Sequence, residues 1–243
     1  MAGRSLIIRF QQLTKAPDSV WDNADLEFLC LSDNCLAAIP ETIGRLTNLR
    51  ALDIAHNQLT AIPDAIGGLP RLTDYLYLAD NRLTAFPETV TRLEHLRYLG
   101  ITDNQIAQLP ESIANMHDLV ELRAYNNALT KLPAAIGALT KLRELHLANN
   151  ALTCLPDSIG DLRELRILDL RNNKVEAIPA SIGGLTNLLY LDLRANALTN
   201  LPEQLANLPN LQKLDLRWTN LTSLAETASC LAALEARGCI VLR

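Results

Sequence analysis

Prolines return along this chain at an almost constant interval. They fall at Pro17, Pro40, Pro63, Pro87, Pro110, Pro133, Pro156, Pro179 and Pro202, every step being 23 residues except the 24 between Pro63 and Pro87. A fixed period of this length overrides local propensity. It means stacked copies of one supersecondary unit, because no single copy can bury its own apolar side.

Between the prolines runs the frame L-x-x-L-x-L-x-x-N-x-L, as in "LRALDIAHNQL" (Leu49 to Leu59) and "LRELHLANNAL" (Leu142 to Leu152). Leucines two apart, such as Leu145 and Leu147, point to one side of a strand, and the residues between them point to the other. One side is therefore core and the other open. Asn34, Asn57, Asn81, Asn104, Asn127, Asn150, Asn173 and Asn196 share one slot. There a short amide can satisfy backbone groups where the chain leaves the strand, and stacked copies form a ladder of such bonds. The proline stops the strand. Apolar residues three apart, such as Ile43 and Leu46, then predict a short helical or 3-10 segment packed behind the sheet.

This pattern resembles the leucine-rich repeat superfamily, in its 23-residue class with L-P-x-x-I-G-x-L repeats, from about Leu6 to Leu224. The resemblance implies an α/β solenoid: a right-handed horseshoe with a concave parallel β-sheet and short helical or 3-10 segments on the convex side. It also implies binding of a protein partner, which is what most members do. Some bacterial members are the substrate-recognition parts of secreted effectors such as ubiquitin ligases, and that is the alternative reading.

One domain is expected, with a degenerate repeat over 1–25 as N-terminal cap, nine repeats over 26–224, and a cap over 225–243. In that last stretch "AETASCLAALEARGCIVLR" predicts a helix from about Glu226 to Arg237, a stop at Gly238 and a strand from Cys239 to Leu242. The proline count, this cap and Met1 suggest a complete unit with no catalytic domain.

Bulk properties narrow the function classes. A net charge of -5 with 49% hydrophobic and 20% charged residues describes a soluble, ordered chain. It has no basic run to neutralise phosphates, so nucleic acid is not an expected partner. The apolar run Leu6 to Ile8 is too short for a signal-peptide core or a membrane span. A cytoplasmic monomer is expected, unless a specialised system secretes it without a cleaved signal peptide. Five scattered cysteines without a C-x-x-C pair predict free thiols, not a disulfide framework or a zinc site. No cofactor is expected.

The frame also assigns the open face. One column holds Phe28, Tyr75, Tyr98, Glu121, Glu144 and Tyr190. The next holds Tyr77, Gly100, Arg123, His146, Asp169, Asp192 and Asp215, and a third holds Tyr125, Arg171, Arg194 and Arg217. The chain has only ten aromatic residues, yet Phe28, Tyr75, Tyr77, Tyr98, Tyr125 and Tyr190 fall in these columns, with Phe10 and Trp218 at the strand ends. Aromatic and arginine enrichment is what a binding hot spot uses, although Tyr and Phe also simply suit strand surfaces. The candidate partner-binding residues are Phe28, Tyr75, Tyr77, Tyr98, Gly100, Arg123, Tyr125, His146, Tyr190 and Trp218.

The frame also carries finer expectations. The stacked Asp-Arg pairs of "LDLRNN", "LDLRAN" and "LDLRWT" form a self-neutralising ion-pair lattice. Ser32, His56 and Asp80 make a triad-like set without an oxyanion hole, and Asp33, His56, Asp80 and Asp103 offer cation ligands, with a solvated polar rim as the simpler reading. The extra residue between Leu72 and Leu76 is absorbed by a bulge at Pro70 to Asp74, since a register slip would expose Leu76 and Leu78. Gly100 then either leaves a pit among the tyrosines or relieves their crowding.

Overall fold

The structure, a computed structural model, describes residues 4–221 and 224–243. The first three residues of the N-terminal cap, Met1 among them, and the junction at 222–223 lie outside the described residues. The strands are β1 (Ser5–Ile7), β2 (Phe28–Cys30), β3 (Ala51–Asp53), β4 (Tyr75–Tyr77), β5 (Tyr98–Gly100), β6 (Glu121–Arg123), β7 (Glu144–His146), β8 (Ile167–Asp169), β9 (Tyr190–Asp192), β10 (Lys213–Asp215) and β11 (Ile240–Leu242). They form one open sheet, parallel throughout and ordered as in the sequence. The cap strand β11 is part of it, pairing in register with β10.

Each of the nine periodic prolines opens a 3-10 segment on the opposite side of the repeat. The carbonyl of Pro40 accepts the Ile43 N–H at 3.1 Å, and the Ile43 carbonyl accepts the Leu46 N–H at 2.9 Å. These i to i+3 bonds explain the P-x-x-I-x-x-L spacing, because they bring both apolar side chains to one side. Ile43 and Leu46 are fully buried, as are Leu142, Leu145, Leu147 and Leu152 of the strand frame. The core is a continuous stack of such leucines and isoleucines between sheet and 3-10 layer.

The asparagines stitch the copies together. Asn104 donates from Nδ2 to the carbonyls of Leu78, Ile101 and Thr102 at 3.0, 3.1 and 3.0 Å, and its Oδ1 accepts the Leu83 N–H at 3.0 Å. Two of these bonds reach the preceding repeat. The same four-bond pattern recurs at Asn57, Asn81, Asn127, Asn150, Asn173 and Asn196.

The residue just before this slot adopts a left-handed conformation. Asp33, His56, Asp80, Asp103, Asn126, Asn149 and Asn172 have φ between 49° and 57°. Asn, Asp and His tolerate that region better than other side chains do. Their side chains add an outer ladder: Asn126 donates to Asp103, Asn149 to Asn126 and Asn172 to Asn149, each at 2.6 Å. Phe10, Ala195 and Trp218 hold the same φ without that tolerance.

The 24-residue interval is absorbed by a bulge. In a regular repeat the residue before the strand donates to its counterpart in the preceding repeat, as Arg143 does to Val120 and Arg166 to Arg143. Here Asp74 donates to Arg50 at 2.9 Å, but Arg97 donates to Thr73 at 3.0 Å. Thr73 and Asp74 thus share a place that one residue fills elsewhere. Leu76 and Leu78 stay fully buried, in register with Leu52 and Leu99 for Leu76.

The C-terminal helix α1 spans Leu224–Ala236, starting two residues before the expected Glu226. Gly238 follows with φ 87°, the left-handed stop that a glycine permits without strain.

Candidate binding surface

The alternation of strand residues places nine of the ten candidates on the open side of the sheet, at the expected register, and Trp218 follows β10 at a position with left-handed φ. The two aromatic residues outside this surface, Trp21 and Phe86, are in the core. Register alone does not make a site, and the ten candidates separate into groups.

One group is a contiguous aromatic cluster. Tyr75 and Tyr77, two apart on β4, stack at 4.5 Å between ring centroids, and Phe28 from β2 meets Tyr75 edge-on at 6.0 Å. Both geometries suit the ring quadrupole. Burial among neighbouring acidic groups pushes both tyrosine hydroxyls above their usual pKa. Tyr98 flanks the cluster on β5, with the Arg97 guanidinium 5.5 Å from its ring centre.

Of the two readings of Gly100, the structure has the relief of crowding and not the pit. Tyr77 lies over the glycine: a Cβ at position 100 would stand 3.1 Å from Tyr77 Cδ1 and 3.8 Å from Cε1. Gly100 is buried under that ring, so its missing side chain relieves crowding and lets Tyr77 lie down along the sheet. The result is an aromatic ledge, and Arg123, in register with Gly100, pairs with Glu121.

The other candidates stand apart from this cluster. His146 is bonded to Glu144, Nε2 to Oε2 at 3.0 Å. Tyr190 lines a hollow of about 170 Å³ with His146, Asp169, Asp192 and Lys213. Trp218, 73% exposed, sits at the last repeat with the Arg217 guanidinium 5.5 Å from its ring. Phe10, 72% exposed, is its counterpart at the first, with Arg9 at 4.9 Å.

The Asp-Arg pairs do form a lattice. Arg217 holds Asp215 with Nη2 to Oδ2 at 2.7 Å, Arg194 holds Asp192 at 2.6 Å, and Arg194 Nε also lies 3.4 Å from Asp215. Burial pushes the Asp215 carboxyl up, but the Arg217 side chain and backbone N–H and the nearby Arg194 charge outweigh it, leaving a lowered pKa.

The triad-like set is not assembled. Ser32 Oγ turns to Asp33 at 3.0 Å and to Cys30 Sγ at 3.2 Å, while His56 Nδ1 meets Asp80 at 2.9 Å. Of the four cation-ligand candidates, His56 and Asp80 meet each other, whereas Asp33 is held by Arg9 and Asp103 accepts from Asn126.

Comparison with known proteins agrees with this architecture. A family model described as "Leucine-rich repeat region" matches residues 85–150 and 135–236, and one described as "Leucine rich repeat" matches 38–83. No curated protein matches the chain. Similar solved structures include the plant peptide hormone receptor RGFR1 in complex with RGF2, at 27% identity and TM-score 0.78 over 89% of this chain and 36% of that one. The ectodomain of the receptor kinase GASSHO1/SCHENGEN3 from Arabidopsis thaliana, in complex with CASPARIAN STRIP INTEGRITY FACTOR 2, is 33% identical, with TM-score 0.79 over 89% of this chain and 27% of that one. The functional domain of InlJ from Listeria monocytogenes is 25% identical, with TM-score 0.79 over 99% of this chain and 48% of that one. The chain therefore spans less than half the length of each of these. With the strand frame, the asparagine ladder and the proline-opened 3-10 turns all in place, the chain belongs to the leucine-rich repeat family.

Proposed function

We propose that this chain is a protein-interaction module that docks a polypeptide partner on its concave face, centred on the ledge of Phe28, Tyr75 and Tyr77, and carries out no chemistry of its own. The observation that supports this most is that six of the ten aromatic residues fall in the open-face columns of a sheet whose core is built from leucine and isoleucine, with Phe10 and Trp218 exposed at strand ends. Tyr77 is 38% exposed although it lies flat on the strand. Rigid aromatic surface of this kind anchors partners at little cost in side-chain entropy. Two of the similar structures are receptors in complex with RGF2 and with CASPARIAN STRIP INTEGRITY FACTOR 2, which favours a polypeptide as the occupant here. In this reading the protein works as a monomer in the cytoplasm, where its five free thiols stay reduced. No observation favours the alternative of a secreted effector's recognition part.

The test is affinity capture from source-cell lysate followed by titration of the captured protein. The double variant Tyr75→Ala/Tyr77→Ala is expected to weaken binding by about 30-fold or more, the loss that one hot-spot residue causes. An Ala138→Glu variant on the 3-10 side should bind normally. Equal binding by the tyrosine variant would rule the ledge out.

A further inference from the structure

The middle of the concave sheet gathers side chains that the aromatic ledge does not use. Glu121 opens β6 and Glu144 opens β7, and the register sets them side by side. His146, two residues along β7, faces the same way. One donor atom from each, two carboxylate oxygens and an imidazole nitrogen, lie within 4.8 Å of one another. All three residues are half-buried and stand on paired strands, so the grouping is set by the sheet.

Charged neighbours surround these three residues. Arg123 is engaged with Glu121, and the His146 imidazole has Glu144. Asp169 stands opposite His146 in the next strand, with Arg171 3.4 Å away, whereas Asp192 and Asp215 have guanidiniums at 2.6 and 2.7 Å. Burial holds the Asp169 carboxyl above its ordinary pKa, and Arg171 only partly offsets it. Three carboxylates thus meet two guanidiniums and one imidazole, with Lys213 lining the hollow that His146 and Asp169 share.

We propose that Glu121, Glu144 and His146 form a binding site for a divalent metal ion of the zinc class. The donor set selects the metal: an imidazole with carboxylates suits zinc, cobalt or nickel, whereas magnesium and calcium take oxygen ligands. The ion takes the place of the proton between His146 Nε2 and Glu144, and it draws Glu121 away from Arg123. Three protein donors leave a coordination position open towards the concave space, as in zinc sites that accept an exogenous ligand. That a partner's side chain fills this position rests on the docking reading above. The metal site itself does not.

The experiment therefore uses metal alone. The intact protein is titrated with Co²⁺ and followed by visible absorption, with Zn²⁺ as competitor, alongside His146→Gln, Glu144→Gln and the control His56→Gln. One equivalent of Co²⁺ should bind and be displaced by Zn²⁺. The His146 and Glu144 variants should bind at least as weakly as the roughly 10–100-fold loss caused by removing an outer-shell partner. His56→Gln should bind like the parent protein. The proposal is overturned if Co²⁺ gives no visible spectrum, if thiolate charge-transfer bands show binding by cysteine, or if His146→Gln binds as tightly as the parent.

Discussion

Replacing Leu145 with Ala is expected to lower the free energy of unfolding by about 2–5 kcal/mol, the range for a large-to-small change in a core that cannot collapse around the gap. Leu145 is fully buried, and the register stacks it between Leu122 and Leu168, also fully buried. Neighbours on both sides are held by their own asparagine bonds and strand pairing, so the cavity should persist. In a solenoid each repeat contacts only its neighbours, and a damaged central repeat uncouples the two halves. The same change at Leu6, partly buried in the first strand, should therefore cost much less. Denaturant unfolding of the two variants measures the difference. Equal small losses would mean that the repeats do not share one continuous core.

Asn104→Ala should cost about 1–3 kcal/mol, the desolvation penalty of buried polar groups left without partners. The alanine strands the Leu83 N–H and withdraws donors from the carbonyls of Leu78, Ile101 and Thr102. Asn104→Asp sharpens the test. It keeps the shape and the acceptor, but at neutral pH it turns a donor into a carboxylate facing three carbonyl oxygens, so it should be at least as damaging as Ala. If Asp were tolerated, the amide's donor role would be wrong. Thermal unfolding of both variants decides this.

These two positions were legible because a period repeats its evidence: the leucine and asparagine slots recur at one spacing, and misassigning one copy would misassign all. The bulge was legible for a related reason. A slip at Leu72 would have turned Leu76 and Leu78 to solvent, a penalty that the structure avoids by doubling Thr73 and Asp74. The left-handed column was readable but passed over, since Asp, His or Asn precedes the asparagine slot in seven repeats.

Other features depend on torsions and pairings that spacing does not encode. Both a pit and relief of crowding were consistent with a glycine between Tyr77 and Arg123, and the choice rests on the way the Tyr77 ring lies. Glu121, Glu144 and His146 each had an assigned column, but their convergence depends on side-chain directions. Phe10 and Trp218 each have a strand-end position in the frame, yet nothing in it announced that each would hold a left-handed backbone beside a guanidinium.

The measurement that bears most directly on the docking surface is site-specific photocrosslinking in source-cell lysate, with a photoreactive phenylalanine placed at position 77 or, on the 3-10 side, at position 138. A concave interface predicts one discrete adduct from position 77, suppressed when Tyr75 is changed to Ala, and no adduct from position 138. An adduct formed from position 138 and absent from position 77 would contradict it.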